Sequence, residues 1–147
     1  MRRLIIDTAT RACSVALFEG DTCIAAFHED IGRGHAERLV PMIAELPDKG
    51  RADMIHVDVG PGSFTGIRVG VSAARALTLA WGAECHGYSC LELIAAMARD
   101  GAKVTVDVVM TGGRCANASP AYRCWTVSRQ ALAAAPRRAT QAAITSF

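Results

Sequence analysis

Aromatic residues are scarce in this chain: Phe, Trp and Tyr make up 5% of its 147 residues. A core therefore has to be assembled from Ala, Val, Leu and Ile. There is no uncharged apolar run of about 18 residues or more, so nothing reads as a membrane span. Leu4-Ile5-Ile6 is cut off by Asp7, well short of the apolar segment of a secretory signal. The six cysteines (13, 23, 85, 90, 115 and 124) include no CxxC pair and no zinc-ligand spacing. Without an export signal they read as reduced, mostly buried thiols of a cytoplasmic protein. Several catalytic signatures are missing as well: the GxGxxG and GK[ST] phosphate loops, the HExxH zinc helix and the GxSxG nucleophile elbow. Acid is missing from one end. Residues 111–147 contain no Asp or Glu and five Arg, for a net charge of +5, whereas residues 1–110 carry −3.

What is present begins with three short strand patterns, Arg3–Asp7, Ser14–Phe18 and Thr22–Phe27. The turn signal Glu19-Gly20-Asp21 separates the last two, so the three form an antiparallel meander. Ile31–Gly34 reads as a loop. His35–Leu46 then has helical periodicity, with Leu39, Met42, Ile43 and Leu46 on one face. Pro41 lies within it, where a proline costs about 3 kcal/mol, so it either kinks the helix or marks its start. Pro47-Asp48-Lys49-Gly50 ends the element. Ile55–Val59 is a fourth strand, Glu84–Gly87 a fifth and Lys103–Met110 a last one. Cys90–Arg99 reads as a helix with Ser89 as its N-cap and Glu92 completing a capping box. Ala131–Ala135 is a short helical candidate. The alternation of strands and helices predicts an α/β domain with helices covering a mixed sheet.

The richest stretch is Gly60-Pro61-Gly62-Ser63-Phe64-Thr65-Gly66-Ile67-Arg68-Val69-Gly70. It links the fourth strand to a helix predicted over Thr65–Trp81. Its glycines permit a sharp turn and close approach of another group. Ser63 or Thr65 can cap the helix, and strand, glycine turn and helix N-terminus together make a candidate anion site. A tight structural turn is the alternative. On the helix, Gly66, Gly70 and Ala74 recur every four residues, with Ala73 and Leu77 alongside. Such a stripe suits either a close partner helix or close packing on the helix's own sheet.

Taken together, Ile5-Ile6-Asp7-Thr8-Ala9-Thr10, Gly34-His35-Ala36-Glu37-Arg38-Leu39-Val40-Pro41, the glycine stretch, Ala76-Leu77 and Ser89-Cys90-Leu91-Glu92 resemble the TsaB (YeaZ) family over residues 2–110. The resemblance implies the N-terminal lobe of an actin-like ATPase (ASKHA, ribonuclease H-like) fold. It also implies a noncatalytic subunit that pairs with TsaD, which transfers a threonylcarbamoyl group to N6 of adenosine 37 in tRNAs reading ANN codons. TsaE joins the larger complex, tRNA is reached indirectly through it, and whether two copies pair as a homodimer in the partner's absence is left open. By the same resemblance the partner interface is built from His35, Leu39, Met42, Ile43, Leu46, Gly66, Gly70, Ala73, Ala74 and Leu77. Asp7, Thr8, Gly60, Gly62 and Ser63 form a vestigial nucleotide site. In actin-like folds the Asp7 position faces nucleotide phosphate or its magnesium, but here Asp7 reads as a turn residue capping backbone N–H groups.

No metal and no cofactor are expected. Ser89 and Leu93 stand where the TsaD relatives carry the two histidines of an HxxxH motif, and leucine cannot bind a metal. His86 and Cys90 alone are too few ligands. The alternatives are a glycoprotease-type (M22-like) peptidase, for which Ser63, His35 and Asp7 can be assembled into a triad only on paper, and a small ASKHA ATPase. After about Met110 the pattern departs from the family. The expectation is a lobe over 1–110 and a divergent, basic, poorly ordered tail over 111–147. The second lobe is then missing, and the change resembles a shifted reading frame. The basic tail is also compatible with a nucleic-acid-binding arm, although its arginines are scattered.

Overall fold

The computed structural model describes residues 1–93, 107–111 and 122–126. Strands β1 (Arg2–Asp7), β2 (Ala12–Glu19) and β3 (Thr22–Asp30) form the expected antiparallel meander. Helix α1 (His35–Glu45) and a 3₁₀ turn (Pro47–Gly50) lead to β4 (Met54–Asp58), helix α2 (Phe64–Trp81) and β5 (Glu84–Tyr88). β4 pairs parallel to β1, and β5 pairs parallel to β4, giving the order β3-β2-β1-β4-β5. Residues 90–93 begin a further helix. The remainder of the expected Cys90–Arg99 helix, the start of the Lys103–Met110 strand and the Ala131–Ala135 helix lie outside the described residues.

The two faces of the sheet differ. Leu4 and Ile6 of β1, Val15 and Leu17 of β2, and Ile55 and Val57 of β4 are buried on one face. Leu39, Met42 and Ile43 of α1 and Ala74 of α2 pack into the same core cluster. Each Leu, Ile, Val or Met among them contributes about 1.5–3 kcal/mol on leaving water. Arg38 holds α1 to the edge strand β3 through Glu29 (Nε to Oε2, 2.7 Å) and also bonds Glu45 at 2.8 Å. Pro41 neither starts nor breaks α1. It sits on the exposed side, where the carbonyl deprived of a donor meets water.

β3 runs three residues past its expected end at Phe27. His28, Glu29 and Asp30 are polar, yet they pair with Ser14, Cys13 and Ala12. A second sheet joins β6 (Asp107–Thr111) and β7 (Tyr122–Thr126) in antiparallel register. The expected division at residue 110 thus falls inside β6, and a segment assigned to the tail is a paired strand.

Candidate functional site

The carboxyl ends of β1 and β4 carry the two loops of interest. After β1, the Asp7 Oδ1 accepts from the Ala9 N–H at 3.0 Å, which is the turn-capping role read from the sequence. The buried Thr8 hydroxyl donates to the Gly66 carbonyl at 2.8 Å. After β4, the Asp58 Oδ1 accepts from the Gly60 N–H at 2.6 Å, and Gly60 has φ +98°, a conformation that favours glycine. Ser63 N–H donates to Ala9 O at 2.6 Å and so ties the two loops together. Ser63 Oγ accepts from Gly66 N–H at 3.2 Å and caps α2. Asp7, Thr8, Gly60, Gly62 and Ser63 are therefore brought together. An anion cradle requires unspent N–H groups, and those of Gly60, Ser63 and Gly66 are already committed to protein acceptors. Two buried carboxyls lie beside them.

Asp58 was not among the sequence candidates, because it lies inside the apolar strand reading Ile55–Val59. It is fully buried, and its Oδ2 has no hydrogen-bond partner. The parallel register that sets Ile6 beside Val57 puts Asp7 beside Asp58 one residue on. Register then continues across the sheet. Ser14 flanks Asp7, His28 flanks Ser14, and Tyr88 flanks Asp58. One polar row, His28–Ser14–Asp7–Asp58–Tyr88, crosses all five strands, and Ser14 Oγ lies 2.8 Å from His28 Nδ1. Burial, with the Asp7 charge second, pushes Asp58 up to about 7. Burial also raises Asp7, against the opposing influence of the Ala9 N–H, His28 and His35. The cysteine thiols nearby are buried and poor nucleophiles: Cys13 is pushed up to about 11 and Cys90 to about 12, chiefly by burial.

Most of the expected interface residues are buried within the lobe. Leu39, Met42, Ile43 and Leu46 are at most 3% exposed, because the apolar stripe of α1 is spent on the lobe's own sheet. Gly66, Gly70 and Ala74 are buried beneath α2. A Cβ at Gly70 would meet Thr8 Oγ1 at 2.5 Å and Val57 Cγ2 at 3.5 Å, so the small-residue stripe serves close packing on the sheet. His35 is also buried, with Nε2 3.1 Å from the carbonyls of Thr10 and Ala12. That orientation gives no Ser63–His35–Asp7 relay, since the imidazole tip faces backbone carbonyls and Ser63 Oγ is engaged as a cap. Ala73 and Leu77 are half-buried.

The outward side of the same helix pair is different. A groove of about 560 Å³ runs between α1 and α2, lined by Ala36, Val40, Thr65, Arg68, Val69, Ser72 and Ala73, with Leu39 at its floor. Val40 is 57% exposed, Phe64 75% and Leu79 88%. Arg68 stacks over the Phe64 ring at 5.1 Å. The available signal for this face was apolar residues standing off the buried stripe, Val40 and Leu79 above all. Among the described residues no helix is long and apolar enough to cross a membrane.

An antiparallel meander extended by two parallel strands, with helices on the core face and loops gathered at the carboxyl ends of β1 and β4, defines an N-terminal lobe of the actin-like, ribonuclease H-like class. YeaZ from Pseudomonas aeruginosa superposes with a TM-score of 0.68 at 28% identity, covering 87% of this chain and 61% of that one. The model of the family described as TsaD, tRNA N6-adenosine threonylcarbamoyltransferase, matches residues 27–134, and the chain belongs to that family. Among curated relatives, the tRNA threonylcarbamoyladenosine biosynthesis protein TsaB of Escherichia coli is 43% identical over 89 residues, 57% of this chain and 37% of that protein. TsaB of Bacillus subtilis is 36% identical over 106 residues, 67% of this chain and 45% of that protein. The chain thus spans less than half the length of these relatives. The family match continues past residue 110, across the division expected from composition.

Proposed function

We propose that this lobe acts as a noncatalytic, TsaB-type subunit in the cytoplasmic synthesis of threonylcarbamoyladenosine in tRNA, and that it docks a TsaD-type transferase on the outward face of α1 and α2. The observation that carries this reading is the open groove between the two helices, flanked by exposed Val40 and Phe64. A contiguous apolar patch rimmed by polar groups marks a contact surface, and Ala36, Val40, Val69 and Ala73 line this groove beside Thr65, Arg68 and Ser72. The buried residues first assigned to the interface act indirectly, by fixing the spacing and tilt of the two helices. A noncatalytic role is favoured by Ser89 and Leu93, which supply no metal-binding pair at the positions of the HxxxH motif. In this reading tRNA is reached only through the partner, a TsaE-type ATPase joins the larger assembly, and two copies of the lobe pair through the same face when the transferase is absent.

The test is size-exclusion chromatography with light scattering on the chain mixed with the TsaD of its own organism. The expected result is a one-to-one complex that is lost on Val40→Asp or Ser72→Tyr while circular dichroism of the variants is unchanged. Absence of a complex with the unaltered, folded chain overturns the proposal. So does a complex indifferent to both substitutions.

A further inference from the structure

We propose that Asp7 and Asp58 share one proton, and that the charge state of this carboxyl pair sets how firmly the loop after β1 and the glycine turn after β4 are held together. The argument starts from register. Adjacent parallel strands are about 4.8 Å apart, and Asp7 and Asp58 occupy neighbouring positions on β1 and β4 with their side chains on the same face. Asp58 is fully buried and Asp7 is 9% exposed. Two buried carboxylates on neighbouring strands, screened from water, cannot both ionise at ordinary cost. Asp7 spends one oxygen on the Ala9 N–H, and Asp58 accepts from the Gly60 N–H and is also held by the Cys90 backbone. The Asp58 Oδ2 is left bare. A proton on that oxygen removes the charge from a bare buried acceptor, and a protonated carboxyl donates where a carboxylate can only accept.

The surroundings support one proton on the pair. Among the described residues neither carboxyl has an ion-pair partner. From β5, the Tyr88 hydroxyl donates to the Ile6 carbonyl at 3.4 Å, and its phenol is held well above the usual range, first by burial and then by the two acids. Cys90, just beyond β5, is neutral at physiological pH. His28 on β3 and His35 at the start of α1 both act to lower Asp7. Ser14 on β2 stands between His28 and Asp7 and adds no charge. One rung back, burial lowers His56, which favours its neutral form.

Loss of the shared proton puts two negative charges between loops that are themselves joined by Ser63 N–H to Ala9 O. The sign follows from linkage. A carboxyl whose folded-state pKa lies above its unfolded value stabilises the fold fully below the ordinary carboxylate range. That contribution is lost as pH rises through the folded value, here about 7 for Asp58. The device goes beyond the docking role and stands without it, since its readouts use the chain alone.

The experiment is carboxyl-carbon NMR on the chain with 13C-labelled aspartate, with thermal unfolding from about pH 5 to about pH 8 on the same chain, Asp58→Asn and Asp7→Asn. The expected result is one aspartate titrating near neutrality, with a melting temperature that falls across the same interval. Either substitution should remove both signals. After correction for intrinsic exchange, the Gly60 and Ser63 amides should exchange at least about tenfold faster at the upper pH, an effect absent in Asp58→Asn. Ordinary carboxylate titration of both groups in the unaltered chain overturns the proposal even if a variant fails to fold. A melting temperature raised by millimolar magnesium at the upper pH, and not raised in the variants, also overturns it by putting a cation where the proton is assigned.

Discussion

Gly70→Ala separates the two readings of the small-residue stripe on α2. The new Cβ would stand 2.5 Å from Thr8 Oγ1, with Val57 Cγ2 at 3.5 Å and Ile6 Cγ2 at 3.6 Å behind it. Thr8 is fully buried, so its hydroxyl cannot retreat without giving up its 2.8 Å bond to the Gly66 carbonyl. Leaving that buried pair unsatisfied costs about 1–3 kcal/mol, and overpacking the contact adds about 1–3 kcal/mol. Replacing a helical glycine by alanine returns about 1 kcal/mol. The net is a loss centred on about 3 kcal/mol, which in a lobe of this size lowers the melting temperature by more than about 10 °C. Thermal unfolding of the isolated chain measures it, with Ser72→Ala on the exposed side of the same helix as a control. Destabilisation of the chain by itself is the expected outcome. A Gly70→Ala chain that melts within about 2 °C of the original but no longer binds a partner would refute the packing argument and turn the stripe outward again.

Two further predictions concern single sites. Ala74→Leu inserts a larger side chain at a fully buried position and should lower the stability of the isolated chain by about 1–3 kcal/mol or more. Chemical denaturation measures this, and the expectation reverses the view that Ala74 faces a partner. Thiol alkylation of the native chain should reach exposed Cys85 before buried Cys13 and Cys90. Peptide mapping by mass spectrometry after a short pulse reads the order, and early modification of Cys90 would contradict its burial beside the Pro61 carbonyl.

Much of the fold was legible because the signals were local. The turn at Gly20, the apolar alternation of β1 and β2, the periodicity of α1 and the cap at Ser63 each depend on a few neighbouring residues. β3 was read too short because His28, Glu29 and Asp30 lack an apolar pattern, and only pairing with β2 makes them a strand. For the site, spacing revealed that α1 and α2 each have an apolar or small face. It could not reveal what that face meets, and both faces turned out to meet the sheet. The exposed groove is the complement of those stripes and becomes visible only once the inward direction is known. Asp58 was missed for a similar reason. Its chemistry comes from lying beside Asp7, a residue about fifty positions away in the chain.

The pairing order of the sheet also bears on how the chain emerges during synthesis. β1, β2 and β3 are consecutive and joined by short connections, so they can zip together as soon as residue 30 is available. β1 is nevertheless the middle strand, and its second edge waits for β4, which begins at Met54. Through that interval Leu4 and Ile6 sit on a strand with one row of N–H and C=O groups unpaired, and the helices that cover them are not yet docked. Nonlocal parallel pairing of this kind is slow and leaves an edge open to other chains. For a nascent lobe, the passage from residue 30 to residue 58 is therefore the period in which the free edge of β1 is open to a neighbouring polypeptide.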